Sequence, residues 1–325
     1  MRAIQVTRFG GPEVLVEADL PKPVAELGQV VVDVWVAPVL FLDTQIRSGS
    51  ARDWFPAQPP YVPGAGVAGV VAAVGEAVDA GWMGRRVAAD TPEHGGYQEQ
   101  VAVPAESLIE VPEGLGMADA AALLHDGRTA VGLFEAVTPR AWEWVLILGA
   151  GGGLGALLVQ LAHGAGARVA GAASTKQKRD LAVELGADGV VDYTESGWGE
   201  QVLTLTGGVG PHIVFDGVGG KIGREAFEVT APGGRFSAHG APSGGFAPIN
   251  GRKAQERQIT VSGIEEVQFS PTEGKRLAKQ AFSKAAAGQI TPIIGQTYPL
   301  ERAVDAHQAI ESRRVVGKTL LEVRA

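Results

Sequence analysis

The 325-residue sequence contains no cysteine. Disulfides, thiolate nucleophiles and cysteine-ligated zinc or iron–sulfur centres are thereby excluded. Any metal site would have to come from histidine and carboxylates. The six histidines are scattered at positions 94, 125, 163, 212, 239 and 307, with no pair at ligand spacing on one helix. Cationic runs are missing too: 28 Lys and Arg stand against 36 Asp and Glu, for a net charge of −8, and no basic patch is interleaved with aromatics. Nucleic acids and anionic lipid surfaces therefore find no electrostatic footprint. The apolar stretches are too short or too glycine-broken to span a bilayer, and Met1-Arg-Ala-Ile-Gln-Val-Thr-Arg-Phe-Gly10 carries no secretory apolar stretch, so a cytoplasmic protein is expected. There is no low-complexity segment and no obvious internal repeat.

What is present is concentrated in residues 144–155, Trp-Val-Leu-Ile-Leu-Gly-Ala-Gly-Gly-Gly-Leu-Gly. An apolar strand runs into a glycine-packed turn. Leu154, Leu157, Leu158 and Leu161 then recur at i, i+3, i+4 and i+7, one stripe of an amphipathic helix, and Ala167–Ala172 reads as the next buried strand. Such a βαβ unit binds dinucleotides: the glycines admit a pyrophosphate close to the backbone, and the helix start offers unpaired amides and a positive dipole. The first glycine of G-x-G-x-x-G is Ala150 here, followed by Gly152 and Gly155. A glycine string alone is weak evidence, and the strand before it and helix after it are what strengthen the reading.

The end of the second strand discriminates between cofactors. An NAD-preferring site places Asp or Glu there, on the ribose hydroxyls. This chain has Ala172-Ala173-Ser174-Thr175-Lys176-Gln177-Lys178-Arg179 instead. Ser174 and Lys178 can donate charge-assisted hydrogen bonds to a 2′-phosphate, so NADPH is favoured over NADH. The plainer alternative is a solvated basic helix start.

The length suggests two domains. The first hundred or so residues are rich in Val, Gly and Pro, with alternating runs such as Gln29-Val-Val-Val-Asp-Val-Trp-Val36, which predicts a compact barrel-like β domain. From Met117 helices and strands alternate: a helix near Ala118–Leu124, the βαβ unit, and strands at 189–191, 212–216 and 235–238. Parallel strands with crossover helices follow, an α/β doubly wound sheet. After Ser270 a helix is expected over 271–287, then a strand at 296–298, a helix carrying 303–312 and a final strand at 318–323.

Several motifs occur in one familiar order: Phe9-Gly-Gly-Pro-Glu-Val-Leu15, Asp43-Thr-Gln-Ile-Arg-Ser-Gly49, Pro60-Tyr-Val-Pro-Gly64, Gly149–Gly155, Phe215-Asp-Gly-Val-Gly219, Pro232-Gly-Gly-Arg-Phe236, and Tyr298-Pro-Leu300 with Ala306-His-Gln-Ala-Ile-Glu-Ser312. Across nearly its whole length the chain resembles the medium-chain dehydrogenase/reductase superfamily, in its zinc-free quinone oxidoreductase branch. The resemblance implies a GroES-like catalytic domain from residues 1–118 with 270–325, a Rossmann domain over 119–269, and an active-site cleft where they meet. It further implies that Thr129 lies near the nicotinamide and that Gly152, Gly153 and Leu154 line the pyrophosphate. Ser174, Lys178 and Tyr193 would approach the 2′-phosphate, while Val218, His239 and Ile264 match backbone-contact positions along the nicotinamide half. Relatives commonly pair through the edge of the Rossmann sheet, so a homodimer joined along Gln258–Ile264 is expected.

Zinc relatives place three ligands and a carboxylate at known points. Only His125, four residues before Thr129, matches one of them. The first ligand's region reads Val39-Leu40-Phe41, and the stretch expected to carry His-Glu reads Gly64-Ala65-Gly66. One ligand cannot build a catalytic tetrahedron. Without a metal to polarise a carbonyl, hydride transfer needs an electron-poor acceptor, and quinones or carbonyl-conjugated alkenes meet that need.

The chain also departs from its relatives. The Asn often found before Asp43 is absent from Val39-Leu40-Phe41-Leu42, a frequent tyrosine is Gln45, and another is missing from Ser50-Ala51-Arg52-Asp53. A more apolar pocket is expected. Tyr61 is the best side-chain candidate for a proton donor, beside His125 and water, and Asp43 with Arg47 suggests a local i,i+4 ion pair. Two other readings stay open: an enoyl-thioester reductase, suited by Leu40-Phe41-Leu42, and a non-catalytic NADPH-binding protein.

Overall fold

The computed structural model describes residues 1–52, 55–91 and 95–324; Asp53 and His94 lie outside the described residues. The chain separates into two compact units, residues 1–125 with 292–325, and residues 126–291. The expected boundaries near 118 and 270 fall earlier than both. The helix after Ser270 packs with the second unit, because an added Cβ on Gly132 would sit only 2.8 Å from Phe269 Cε1 and 3.1 Å from Leu277 Cδ1.

The first unit opens with the antiparallel pair β1 (Arg2–Val6) and β2 (Leu15–Asp19). The long β3 (Gln29–Val39) leads into the short helix α1 (Phe41–Ser48). Then come β4 (Gly66–Val74), β5 (Arg86–Asp90), β6 (Gln100–Pro104) and β7 (Ile109–Glu110). Val30, Val32, Val34 and Val39 of β3 are buried in a core that also takes Val67, Val71, Val87 and Val103. β-branched residues suit this pleated surface.

Helix α2 (Met117–Val137) runs on well past the expected 118–124 and carries Thr129 within it. Glycines at 127 and 132 weaken the helical pattern in the sequence. Gly132 is kept small by the ring of Phe269, so close packing outweighs propensity.

The second unit then lays out β8 (Trp144–Leu148), α3 (Gly153–Gly164), β9 (Arg168–Ala172), α4 (Lys176–Glu184), β10 (Gly189–Val191), α5 (Trp198–Leu205), β11 (Ile213–Asp216), α6 (Gly220–Val229), β12 (Arg235–Ala238), α7 (Gly251–Glu256), β13 (Thr260–Ser262) and α8 (Pro271–Ala286). The strands pair in parallel in the order β10-β9-β8-β11-β12-β13. All five residues of β8 are buried, as a central strand covered on both faces demands. The order reverses across β8, between β9 and β11, and this is where doubly wound sheets bind ligands beyond the carboxyl ends of their strands.

The chain returns to the first unit with β14 (Ile294–Pro299), α9 (Ala303–Glu311) and β15 (Lys318–Glu322). They complete the sheet β14-β15-β3-β4-β5-β7, with β6 pairing β3. The GroES-like domain is thus built from both ends of the chain, and the residues between them form a Rossmann domain.

Candidate functional site

β8 ends at Leu148, directly before the glycine turn. Gly149 has φ +74°, a left-handed conformation that glycine adopts without steric cost. Its amide and that of Ala150 donate to Ala172 O on β9, at 2.9 and 3.2 Å, and Gly152 N closes back onto Gly149 O at 2.9 Å. A Cβ on Gly155 would come 2.8 Å from Gly149 C and 2.9 Å from Ala150 Cα, so helix and turn are drawn together as tightly as backbone allows. Gly152 is the N-cap of α3 and no side chain caps it. Gly153 and Leu154 open the helix there, where amides and dipole favour an anion.

The βαβ return brings the proposed 2′-phosphate residues to the same edge of the sheet. Thr175 caps α4 and accepts from Lys178 N at 3.4 Å. Lys178 lies against the glycine turn: a Cβ on Gly151 would be 2.5 Å from Lys178 Cβ and 2.7 Å from its Cγ. Ser174 leaves β9 and Tyr193 follows the end of the neighbouring β10, with Ala173 N donating to Val191 O at 3.1 Å between them. Tyr193 is partly buried against the core of its unit.

Val218, His239 and Ile264 leave the carboxyl ends of β11, β12 and β13, in that order across the sheet. Burial pushes the His239 imidazole down to about 4, so it stands neutral, with Nδ1 3.2 Å from Ser237 Oγ. Thr129 is half-buried on α2.

Asp216 organises this half of the edge and was not singled out from the sequence. Its Oδ1 accepts from Val218 N at 2.9 Å and Gly219 N at 2.7 Å, while its carbonyl accepts from His239 N and Gly240 N at 3.2 and 3.0 Å. One residue thus ties the Val218 and His239 loops. An Asp placed two and three residues ahead of such amides is the sequence signal of an Asx turn.

The first unit holds a separate buried polar chain. Arg47 pairs with Glu311 and lies 3.5 Å from His307 Nδ1; His307 Nε2 is 3.1 Å from Tyr97 Oη, which donates to Asp43 Oδ2 at 3.3 Å. The expected Asp43–Arg47 ion pair is therefore corrected. Asp43 is occupied as the N3 residue of α1, accepting from Leu40 N at 2.8 Å, and Arg47 turns to a helix 264 residues away in sequence. Burial raises the Asp43 carboxyl to about 6, against the pull of the Leu40 amide and the Lys318 charge. Burial and then the Arg47 charge lower His307 to about 3. Tyr61 joins this neighbourhood: its hydroxyl is buried, and burial followed by the Asp43 charge holds its proton well above the ordinary phenol range.

His125 Nε2 lies 3.2 Å from Asp90 Oδ1. Among the described residues no three His, Cys, Asp or Glu come together as a metal site. The donor set does not suit a catalytic zinc, which needs three protein ligands.

Two family descriptions match the chain: the alcohol dehydrogenase GroES-like domain over residues 26–113, and zinc-binding dehydrogenase over residues 153–280. The quinone oxidoreductase of Rattus norvegicus is 32% identical over 326 residues, covering 99% of this chain and 97% of the relative. The chain belongs to the medium-chain dehydrogenase/reductase superfamily. Within that superfamily, a 2-haloacrylate reductase of a Burkholderia species is 30% identical over 98% of both chains. A mycobacterial structure complexed with NADPH superposes with a TM-score of 0.91 at 34% identity, covering 99% of this chain and 100% of the other.

Proposed function

We propose that this protein is an NADPH-dependent reductase that passes a hydride to a quinone or a carbonyl-conjugated alkene without using zinc. The carrying observation is the glycine turn with Lys178 laid against Gly151, at the edge where β8 meets β9. The stem of Lys178 lies on the glycine turn, which supports a cation within reach of a 2′-phosphate. The relatives named above, a quinone oxidoreductase and a reductase of an activated alkene, support the acceptor class. The NADPH-bound mycobacterial structure supports the cofactor.

In this reading Gly152, Gly153 and Leu154 hold the pyrophosphate through their amides. Ser174, Lys178 and Tyr193 hold the 2′-phosphate. Thr129, Val218, His239 and Ile264 line the nicotinamide half, and the neutral His239 adds no charge there. NADPH, when bound, supplies the hydride. The chain's own residues bind and align it, which is most of what the reaction asks of the protein. The proton comes from water. The Tyr61 hydroxyl is buried and its proton is held above the ordinary phenol range, which favours water over Tyr61 as the donor. The half-buried Leu40-Phe41-Leu42 at the head of α1 favours a second reading, an enoyl thioester as the alkene.

The reading also places the protein in the cytoplasm, where NADPH is drawn on for reductions, and makes it a homodimer. β13 is the outer strand of its sheet, with Val261 and Ile264 exposed on and beside it, which is the form of edge that pairs with a second copy. No described helix is long and apolar enough to cross a membrane.

The test is the initial rate of NADPH against NADH oxidation by purified protein with an ortho-quinone acceptor, repeated after chelator treatment. Turnover strongly favouring NADPH and unchanged by the chelator is expected. Bound NADPH without turnover on quinones, enones or a crotonyl thioester would leave a binding protein instead.

A further inference from the structure

We propose that the Arg179–Asp192 ion pair is the positioning element that sets this protein's preference for a 2′-phosphorylated dinucleotide. The proposal rests on the reading of Ser174, Lys178 and Tyr193 as the 2′-phosphate site. Arg179 follows Lys178 directly in the same basic stretch. The structure spends it elsewhere.

Arg179 Nη1 donates to Ala173 O at 3.3 Å and to Asp192 Oδ2. Both side chains are largely withdrawn from solvent, at 21% and 16% exposure, so the pair is held by more than a screened surface attraction. Its two anchor points are informative. Ala173 immediately precedes Ser174 at the exit of β9, and Asp192 immediately precedes Tyr193 at the exit of β10. The other Asp192 oxygen accepts from Thr194 N at 2.9 Å and from Thr194 Oγ1 at 2.6 Å. Tyr193 is therefore pinned through the residue before it and the residue after it.

Arg179 also neighbours Lys178 on the first turn of α4, against the glycine turn. One guanidinium thus fixes, relative to one another, the three segments that carry Ser174, Lys178 and Tyr193. Its own charge is cancelled by Asp192, and Lys176 is matched on the exposed face by Asp180 at 2.7 Å. The pair acts on the phosphate only through the geometry of other groups, so its effect is confined to the 2′ position.

Charge and position make opposite predictions, which gives the test its edge. Asp192→Asn removes a negative charge near the phosphate and releases Arg179. If charge governs, or if Arg179 is a direct phosphate ligand restrained by Asp192, NADPH binding tightens. If the pair positions, it weakens. Dissociation constants for NADPH and NADH are measured by fluorescence titration on wild type, Asp192→Asn, and the net-charge-neutral double variant Arg179→Met with Asp192→Leu, alongside melting temperatures. The proposal expects the NADPH-over-NADH preference to fall by about tenfold in both variants, as the loss of one well-placed charge-assisted hydrogen bond would give.

A rise in preference for Asp192→Asn, an unchanged preference in the double variant, or an equal loss of both cofactors would overturn it. Arg179→Lys, which keeps the charge and can donate to one of the two acceptors, should lie between, and serves where the double variant does not fold. Absence of any NADPH preference in the wild-type protein would instead sink the 2′-phosphate reading itself.

Discussion

Lys178 lies against Gly151, its Cβ 2.5 Å from where a Cβ at position 151 would stand. The contact joins the start of α4 to the turn after β8, so the lysine is held at the pyrophosphate cradle by backbone packing rather than by its own flexible chain. Lys178→Met keeps that packing and removes the ammonium. We expect the KM for NADPH to rise by about tenfold or more, the worth of a charge-assisted contact to a phosphate, with the KM for NADH little changed. Steady-state kinetics with both cofactors checks it.

Two glycines of α3 should behave in opposite ways. Gly155→Ala drives a Cβ into Gly149 and Ala150, both backbone, so the turn must open; binding of NADPH and NADH should fall together. Gly164→Ala, at the last position of the same helix, meets nothing within 4 Å. It should leave binding intact and add up to about 1 kcal/mol of stability through helix propensity. Cofactor titration and thermal melts on the two variants compare them directly.

The βαβ unit was legible because its signals are local. A parallel strand buried on both faces reads as a continuous apolar run, and the glycine turn follows it in sequence. The placements of Ser174 and Lys178 at that edge came with it. What the sequence hid are pairings fixed by tertiary approach. Asp43 and Arg47 look like natural partners at i,i+4, yet Asp43 is taken by Leu40 N and Tyr97, and Arg47 by Glu311 on α9. Arg179 reads as an open cation until β10 delivers Asp192 to it. The length of α2 was hidden for the same reason: the glycine that argues for a helix end is the one that lets Phe269 in.

The sequence offers Tyr61 as the best side-chain candidate for a proton donor. Its buried hydroxyl and its raised pKa, set by desolvation and by the Asp43 charge, argue that Tyr61→Phe keeps kcat within about threefold of wild type, well short of the 100-fold or greater effect typical of a general acid. A solvent isotope effect retained at wild-type size in the variant would agree with water as the donor. A collapse of kcat at unchanged NADPH affinity would restore Tyr61 to the chemistry.

The buried chain of the first unit should be visible in how stability depends on pH. Asp43 titrates near 6 in the folded protein against 3.8 as its reference, so between those values the native state holds a proton that the unfolded state has lost. Its contribution is fully present below about pH 4 and is lost as pH rises through 6, on the order of 3 kcal/mol in all. His307, lowered to about 3 by burial and by Arg47, works the other way, since the unfolded state takes up its proton first as pH falls. The two slopes oppose one another between pH 4 and 6, which flattens the wild-type profile there. Asp43→Asn keeps an oxygen for Leu40 N and Tyr97 but cannot ionise, so only the histidine slope remains. Relative to wild type the variant should therefore gain stability steadily from pH 4 to 6 and hold a constant difference above 7. Denaturant unfolding of both proteins across that range measures the gap, and parallel profiles would show that Asp43 does not titrate inside the fold.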